Sequence, residues 1–185
     1  MNKKSEPLYI HVVLYLVIAI LAYILIRVAI IDPTDYVEKE NYYTNESHLR
    51  MENIRQAELL WEKKHKGYTD KLDSLIYFIK HDAAIQNLIN GEDTLTGKST
   101  NPFKSLTSGK FVPDSLMFSV KTNKPYILQV DTTTQVDTVI NRYGRITRVD
   151  TSTVIGSLFY LECPDGFGTI GDLKNIALKH TASWE

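Results

Sequence analysis

The chain has 185 residues, a formal net charge of −1 and 43% hydrophobic residues, which bounds it to one modest folded domain. Near-neutral charge argues against a nucleic-acid partner, because neutralising phosphates requires a basic face. The single cysteine, Cys163, excludes an intramolecular disulfide framework.

Residues Leu8 to Ile31, LYIHVVLYLVIAILAYILIRVAII, are apolar almost without interruption. At about 1.5 Å rise per residue such a helix is roughly 36 Å long and crosses a bilayer core. A cleaved signal peptide would carry an apolar region of about 7–15 residues closed by a small-x-small site. This run is longer and passes into Arg27-Val28-Ala29-Ile30-Ile31-Asp32-Pro33, so a retained transmembrane helix in contact with lipid is expected over residues 8–31. His11 and Arg27 lie near its two ends, where polar tips reach the headgroups. Contact with a partner helix inside the membrane is the sharper alternative for both. Lys3 and Lys4 precede the span; Asp32, Asp35, Glu38 and Glu40 follow it with only Lys39 opposing. That bias places residues 1–7 in the cytoplasm and the rest outside it, as a single-pass protein of the inner (cytoplasmic) membrane with a periplasmic or extracytoplasmic C-terminal part. The triplet Asn45-Glu46-Ser47 matches a glycosylation acceptor but is too common by chance to carry weight.

Residues 32–90 read as an extracytoplasmic helical region. Asp32-Pro33 resembles a helix start, with Asp as cap and Pro at the first helical position. From Thr34 to Lys66 there is no Gly or Pro, and Glu, Lys, Gln, Leu and Ala dominate, a composition that favours helix. Ile54, Ala57 and Trp61 form a thin apolar stripe, as on a helix lying across a sheet. Gly67 is the expected cap at the C-terminal end, beside the dipole-compatible Lys63, Lys64 and Lys66. Tyr68 is expected to be buried, and Thr69 or Asp70 to cap a second helix carrying Leu72, Leu75, Ile76 and Ile79 on one face. A short third helix, Ala83 to Asn90, ends at Gly91.

Residues 91–113 are polar and read as a surface loop. After it the pattern becomes strand-like, with segments Leu116 to Val120, Tyr126 to Val130, Val136 to Asn141, Arg145 to Val149 and Val154 to Glu162. Asn141-Arg142-Tyr143-Gly144 is a hairpin turn. The Val-Asp-Thr triplets starting at Val130, Val136 and Val149 are unequally spaced and imply no repeat. Helices followed by strands indicate an α+β fold, with an antiparallel β region over residues 114–185 packing on the helices.

The motifs that suggest chemistry do not hold together. Gly166-Phe167-Gly168-Thr169-Ile170-Gly171 is a formal GxGxxG, but a dinucleotide site needs a following helix, a parallel strand and a distant acid. A glycine-rich turn is the better account. Glu62-Lys63-Lys64-His65 has one copy of a spacing that di-iron bundles need twice. His48, His65, His81 and His180 show no zinc-ligand spacing and read as surface residues. Cys163 has no identifiable base, and the Asp and Thr pairs form no calcium loop. No catalytic, cofactor-binding or metal-binding residue is assigned, and no cofactor or small-molecule partner is expected.

Ile54-Arg55-Gln56-Ala57-Glu58, Lys66-Gly67-Tyr68-Thr69 and Leu72-Asp73-Ser74-Leu75-Ile76 together resemble type IV pilins and type II secretion pseudopilins. The resemblance implies a membrane helix continuing into an exported helix, a Gly-Tyr turn, a short Leu-rich helix and an antiparallel sheet packed on the long helix. As a whole the chain resembles single-pass envelope proteins of Bacteroidota-type bacteria, a resemblance that implies no activity. The chain departs from pilin precursors in lacking a glycine before the apolar segment: its first is Gly67, and Glu6 stands before the run, beside Pro7. Pilin-type cleavage and methylation are therefore not expected. The combined expectation is a non-enzymatic, membrane-anchored envelope protein with a pilin-like body, a component of a secretion or surface assembly with protein partners or copies of itself. Its candidate partner contacts are Arg27, Ile54, Ala57 and Trp61, reached along the long helix. An anchored module binding a ligand through the 91–113 loop is the alternative.

Overall fold

The structure is a computed structural model that describes residues 8–93 and 96–185, with backbone alone over 133–137, 140 and 150–155. Lys3 and Lys4, with the rest of residues 1–7, lie outside the described residues, as do Thr94 and Leu95 of the polar loop. The chain is α+β and divides into two compact units, Met1–Tyr43 and Thr44–Glu185.

The described part of the first unit is helical throughout. Helix α1 (Leu8–Ile26) is followed by a π-helical turn (Arg27–Ile31) and then by α2 (Asp32–His65). One stretch of this run is long and apolar enough to cross a membrane, and none of that stretch is buried. Asp32 does not start a new helix: its backbone is right-handed helical (φ −61°, ψ −42°) and its N–H donates to the Arg27 carbonyl. Pro33 sits inside the helical run, where it lacks an N–H and its ring crowds the carbonyl four residues back. A π turn just upstream widens the ladder at the point where a regular helix would be strained. The five-residue offset also brings Arg27 Nε to 3.5 Å from Asp32 Oδ1. Thr34 Oγ1 donates to the Ile30 carbonyl at 2.6 Å.

The second unit is built around the later turns of α2. Met51, Ile54 and Ala57 are fully buried there, each large side chain contributing about 1.5–3 kcal/mol. The buried face is broader than the expected stripe, because Glu46, Ser47, Asn53 and Glu58 share it. Three of these polar residues hold loops. Asn53 donates to the Lys104 carbonyl at 2.9 Å and accepts from the Lys104 N–H at 2.7 Å. Glu46 accepts from the Thr107 N–H at 2.9 Å, from the Thr107 hydroxyl and from Arg50 Nε. Glu58 accepts from the Thr69 N–H. The described part of the 91–113 segment is a largely exposed loop, as expected, but a pinned one: Phe103 and Leu106 are buried and its backbone is held to α2 at Lys104 and Thr107.

Helix α2 ends at His65, and the left-handed residue after it is Lys66 (φ 64°), not the expected Gly67. A left-handed conformation costs an ordinary side chain about 1–2 kcal/mol. Lys66→Gly is accordingly expected to raise unfolding free energy by about 0.5–1 kcal/mol, read from denaturant midpoints; an unchanged or lower midpoint would contradict this cap assignment. Helix α3 (Leu72–His81) buries Leu72, Leu75, Ile76 and Ile79 as their spacing predicts, together with Phe78. Its N-cap is Lys71 without a side-chain bond, while Thr69 Oγ1 instead accepts from the Lys71 N–H. Helix α4 (Ala83–Asn90) is capped by Asp82, whose carboxylate accepts from the N–H groups of Ala84 and Ile85.

Four of the five expected strand segments merge into one long hairpin, and a short third strand forms outside them, within the stretch expected as a glycine-rich turn. Leu116–Val120 holds the end of a 3-10 turn (Pro113–Leu116) and a lone bridge from Phe118 to Pro125 instead of a strand. Strand β1 (Ile127–Ile140) pairs antiparallel with β2 (Ile146–Glu162), from Ile127 opposite Glu162 to Ile140 opposite Ile146, and β3 (Thr169–Ile170) pairs with the end of β2. The turn at 141–144 forms as expected, with Gly144 at φ 75°. A bulge at Asp131 divides the hairpin. Before it, Leu128, Leu158, Phe159 and Leu161 are buried in the core. Beyond it, Val139, Tyr143, Ile146 and Val149 are exposed. The Asp131 carboxylate stabilises the bulge by accepting from the Leu158 N–H and the Ser157 hydroxyl.

Candidate functional site

Two features lie on either side of the Gly67-Tyr68-Thr69 turn: a buried carboxylate beneath it and an aromatic groove between the helices it joins.

The turn is anchored from three directions. The Tyr68 N–H donates to the Gly156 carbonyl at 2.8 Å, opposite the bulge. Gly156 has φ +75°, and a Cβ there would stand 2.6 Å from the Tyr68 carbonyl oxygen and 2.9 Å from its nitrogen, so the glycine makes the close approach possible. The Tyr68 hydroxyl meets His180 Nε2 at 2.7 Å. Burial holds the His180 imidazole below its ordinary range, with neighbouring Lys179 adding to the effect. Burial likewise raises the Tyr68 phenol to about 12. Beneath the turn, Glu58 is fully buried and its Oε2 accepts from the Thr69 N–H at 3.2 Å, while Oε1 has no partner among the described residues. Burial raises its carboxyl from 4.5 to about 8, which the Thr69 N–H opposes and Asp70 reinforces. Glu58 is therefore predominantly uncharged at neutral pH. That is the expected state for a carboxyl taken out of water without a cation.

The groove lies between the last turns of α2 and the outer face of α3 and has a volume of about 670 Å³, within the range of ligand sites. On one wall Trp61 stacks on His65 (centroids 3.9 Å apart, planes at 25°); on the other Tyr77 stacks on His81 (4.1 Å, 18°). Phe78 lies edge-on to Trp61 at 5.2 Å. Lys64 pairs with Asp82 and stands over the Phe78 ring, so those two charges cancel. Asp73 and Ser74 complete the lining. The Asp73 carboxylate makes no ion pair with the described residues. An aromatic surface with one free negative charge suits a flat or cationic group through stacking, cation–π attraction and charge pairing.

Of the partner contacts expected from sequence, Trp61 lies in this groove and Arg27 lies exposed beside Asp32. Ile54 and Ala57 are at 0% exposure, packed in the core of their own unit. Two of the four histidines expected on the surface are half-buried: His48 stacks on Trp184 at 3.8 Å, and His180 packs on Phe159 as well as Tyr68. Cys163 is buried in the core, more fully than the end of a strand requires. In the glycine-rich turn, a Cβ at Gly168 would meet the Trp184 ring at 2.6 Å and one at Gly171 the Phe159 carbonyl at 2.3 Å. These glycines serve close packing, and the helical element after them among the described residues is a 3-10 turn at Ile176–Leu178. Among the described residues no three His, Cys, Asp or Glu side chains are grouped to hold a metal ion.

Glu58 and the α3 wall were missed at the sequence level, yet each had a signal. Glu58 is four residues after Ile54, which puts it on the buried face, and both Trp61/His65 and Tyr77/His81 are i, i+4 pairs. No family model, curated protein or solved structure matches the chain.

Proposed function

We propose that the chain is a non-enzymatic, membrane-anchored envelope protein, a pilin- or pseudopilin-like component of an assembly, whose second unit acts by protein contact. One observation carries the reading: the apolar stretch within Leu8–Ile31 is wholly unburied by the chain itself. An apolar helix of that length is stable only against lipid or against other apolar helices. The continuation of the helical run into a helix whose later turns carry a hairpin supports the pilin-like part. The Lys/Arg bias supports a cytoplasmic N-terminus and an extracytoplasmic second unit.

The alternative of a ligand-binding 91–113 loop is less well supported, since Phe103, Leu106, Asn53 and Glu46 commit that segment to packing. Its deletion would empty core positions and unfold the unit, so loss of binding after deletion would not identify a ligand site.

The assembly reading is tested by cross-linking in intact membranes followed by native electrophoresis of the full chain. Species heavier than the monomer are the expected result, and a strictly monomeric, partner-free protein contradicts it.

A further inference from the structure

The turn at the far end of the hairpin, Asn141 to Arg145, presents a cationic aromatic tip. Tyr143 is 86% exposed, and Arg142 and Arg145 flank it without an ion pair to the described residues. The turn itself is well fixed: the Asn141 side chain accepts from the N–H groups of Tyr143 and Arg145, and the Asn141 N–H donates to the Arg145 carbonyl. Fixing the turn presents the three side chains at low entropic cost. Among the described residues no third strand pairs with the ribbon beyond the bulge, and an isolated two-stranded ribbon is at best marginally stable in water. Contact with a partner is one physical reason for a chain to extend such a ribbon.

The groove between α2 and α3 has the complementary chemistry. Its charges are the mutually neutralised Lys64 and Asp82 and the unpaired Asp73, and its walls are the rings of Trp61 and Tyr77, with Phe78 lying between the helices. We infer that the hairpin tip of one copy docks in the α2/α3 groove of a second copy. Tyr143 lies among the aromatic walls, and Arg142 or Arg145 pairs with Asp73. Charge complementarity selects this occupant, because the groove offers an anion and the tip two cations around an aromatic ring, none of the three in an ion pair with the described residues. Arg suits both contacts, pairing in bidentate fashion with carboxylate and stacking on Trp or Tyr. Tip and groove are different surfaces, so the contact is head-to-tail and propagates along a row of copies or closes a ring. The inference rests on the assembly reading and gives it a specific contact.

The test uses the full chain in membranes, with Tyr143→p-benzoylphenylalanine in one copy and a differently tagged wild-type chain co-expressed. Illumination is expected to join the two copies, with the adduct mapping to the acceptor's residues 61–65 or 73–82. Asp73→Arg in the acceptor is expected to cut the yield about tenfold. Asp73→Asn, which removes the charge with less strain on the first turn of α3, should cut it in the same direction. Arg142→Glu with Arg145→Glu in the donor should restore the yield to the Asp73→Arg acceptor. Adducts outside the groove, adducts confined to one copy, or a yield indifferent to Asp73 would overturn the contact. If the wild-type chain still runs above the monomer when the adduct misses the groove, the docking mode is wrong and the assembly reading stands. A monomer alone refutes both.

Discussion

Unfolding free energy of the full chain in detergent is expected to fall as pH rises from about 6.5 to about 8, at up to about 1.4 kcal/mol per pH unit, and Glu58→Gln is expected to abolish that slope. The folded protein holds a proton on Glu58 up to about pH 8, whereas the unfolded chain releases it near 4.5. Between those values the native state binds more protons than the unfolded state, so rising pH favours unfolding. The stabilisation is complete below the unfolded value and lost as pH passes the folded one. His180 acts in the opposite direction on the acid side, because its depressed value penalises the folded state below about 6.5, so the Glu58 slope is cleanest above that point. The carboxylates with lowered values, such as Asp165 and Asp172, affect only the acid limb. At about pH 8 the Gln variant should be roughly 2–4 kcal/mol more stable than wild type, after allowing for its unpartnered amide hydrogens. Below about pH 5 it should offer no advantage. An unchanged slope in the variant would mean that Glu58 is ionised or hydrated in the folded state.

The second large effect is at the turn's other support. Gly156→Ala is expected to reduce stability by about 2–4 kcal/mol, from left-handed strain together with overpacking against backbone atoms. Gly144→Ala provides the comparison, since Gly144 has the same φ of 75° but nothing within 4 Å of a new Cβ. It should cost only the strain, about 1 kcal/mol. The difference between the two variants reports the contact with Tyr68. Equal losses at both sites would contradict the close approach at Gly156.

Much of the architecture was legible in local pattern. The apolar run, the α3 face of Leu72, Leu75, Ile76 and Ile79, the Ala83–Asn90 helix and the 141–144 turn follow directly from periodicity and turn chemistry. What could not be read locally has a common physical cause. Asn53, Glu46 and Glu58 face the core because distant backbone groups at Lys104, Thr107 and Thr69 meet them there, and no periodicity rule reveals those partners. The buried face of α2 therefore looked thinner than it is. Strand segments that composition separated at Asp131 are joined across a bulge, and those separated near Asp150 run on in regular register, since a ladder continues wherever the partner strand does. Pro33 signalled a helix start, as it would in isolation, but the π turn absorbs it. The groove was half visible: Trp61 stood out as apolar, while Tyr77 and His81 were hidden among helix residues with no evident partner.

Glu58 also links the two halves of the candidate site. Its carboxyl holds the Thr69 N–H, and the turn containing Thr69 sets where α3, and with it the Tyr77 and His81 wall, begins relative to Trp61 and His65. The position of one groove wall therefore depends on a carboxyl that must stay neutral and on a glycine that must stay without a side chain.

Alkaline carbonate extraction of membranes from cells producing the full chain tests the membrane anchor most directly. An integral anchor over Leu8–Ile31 predicts that the protein stays in the membrane pellet and is released only by detergent. Release into the carbonate supernatant would contradict the anchor, and with it the envelope role built on it.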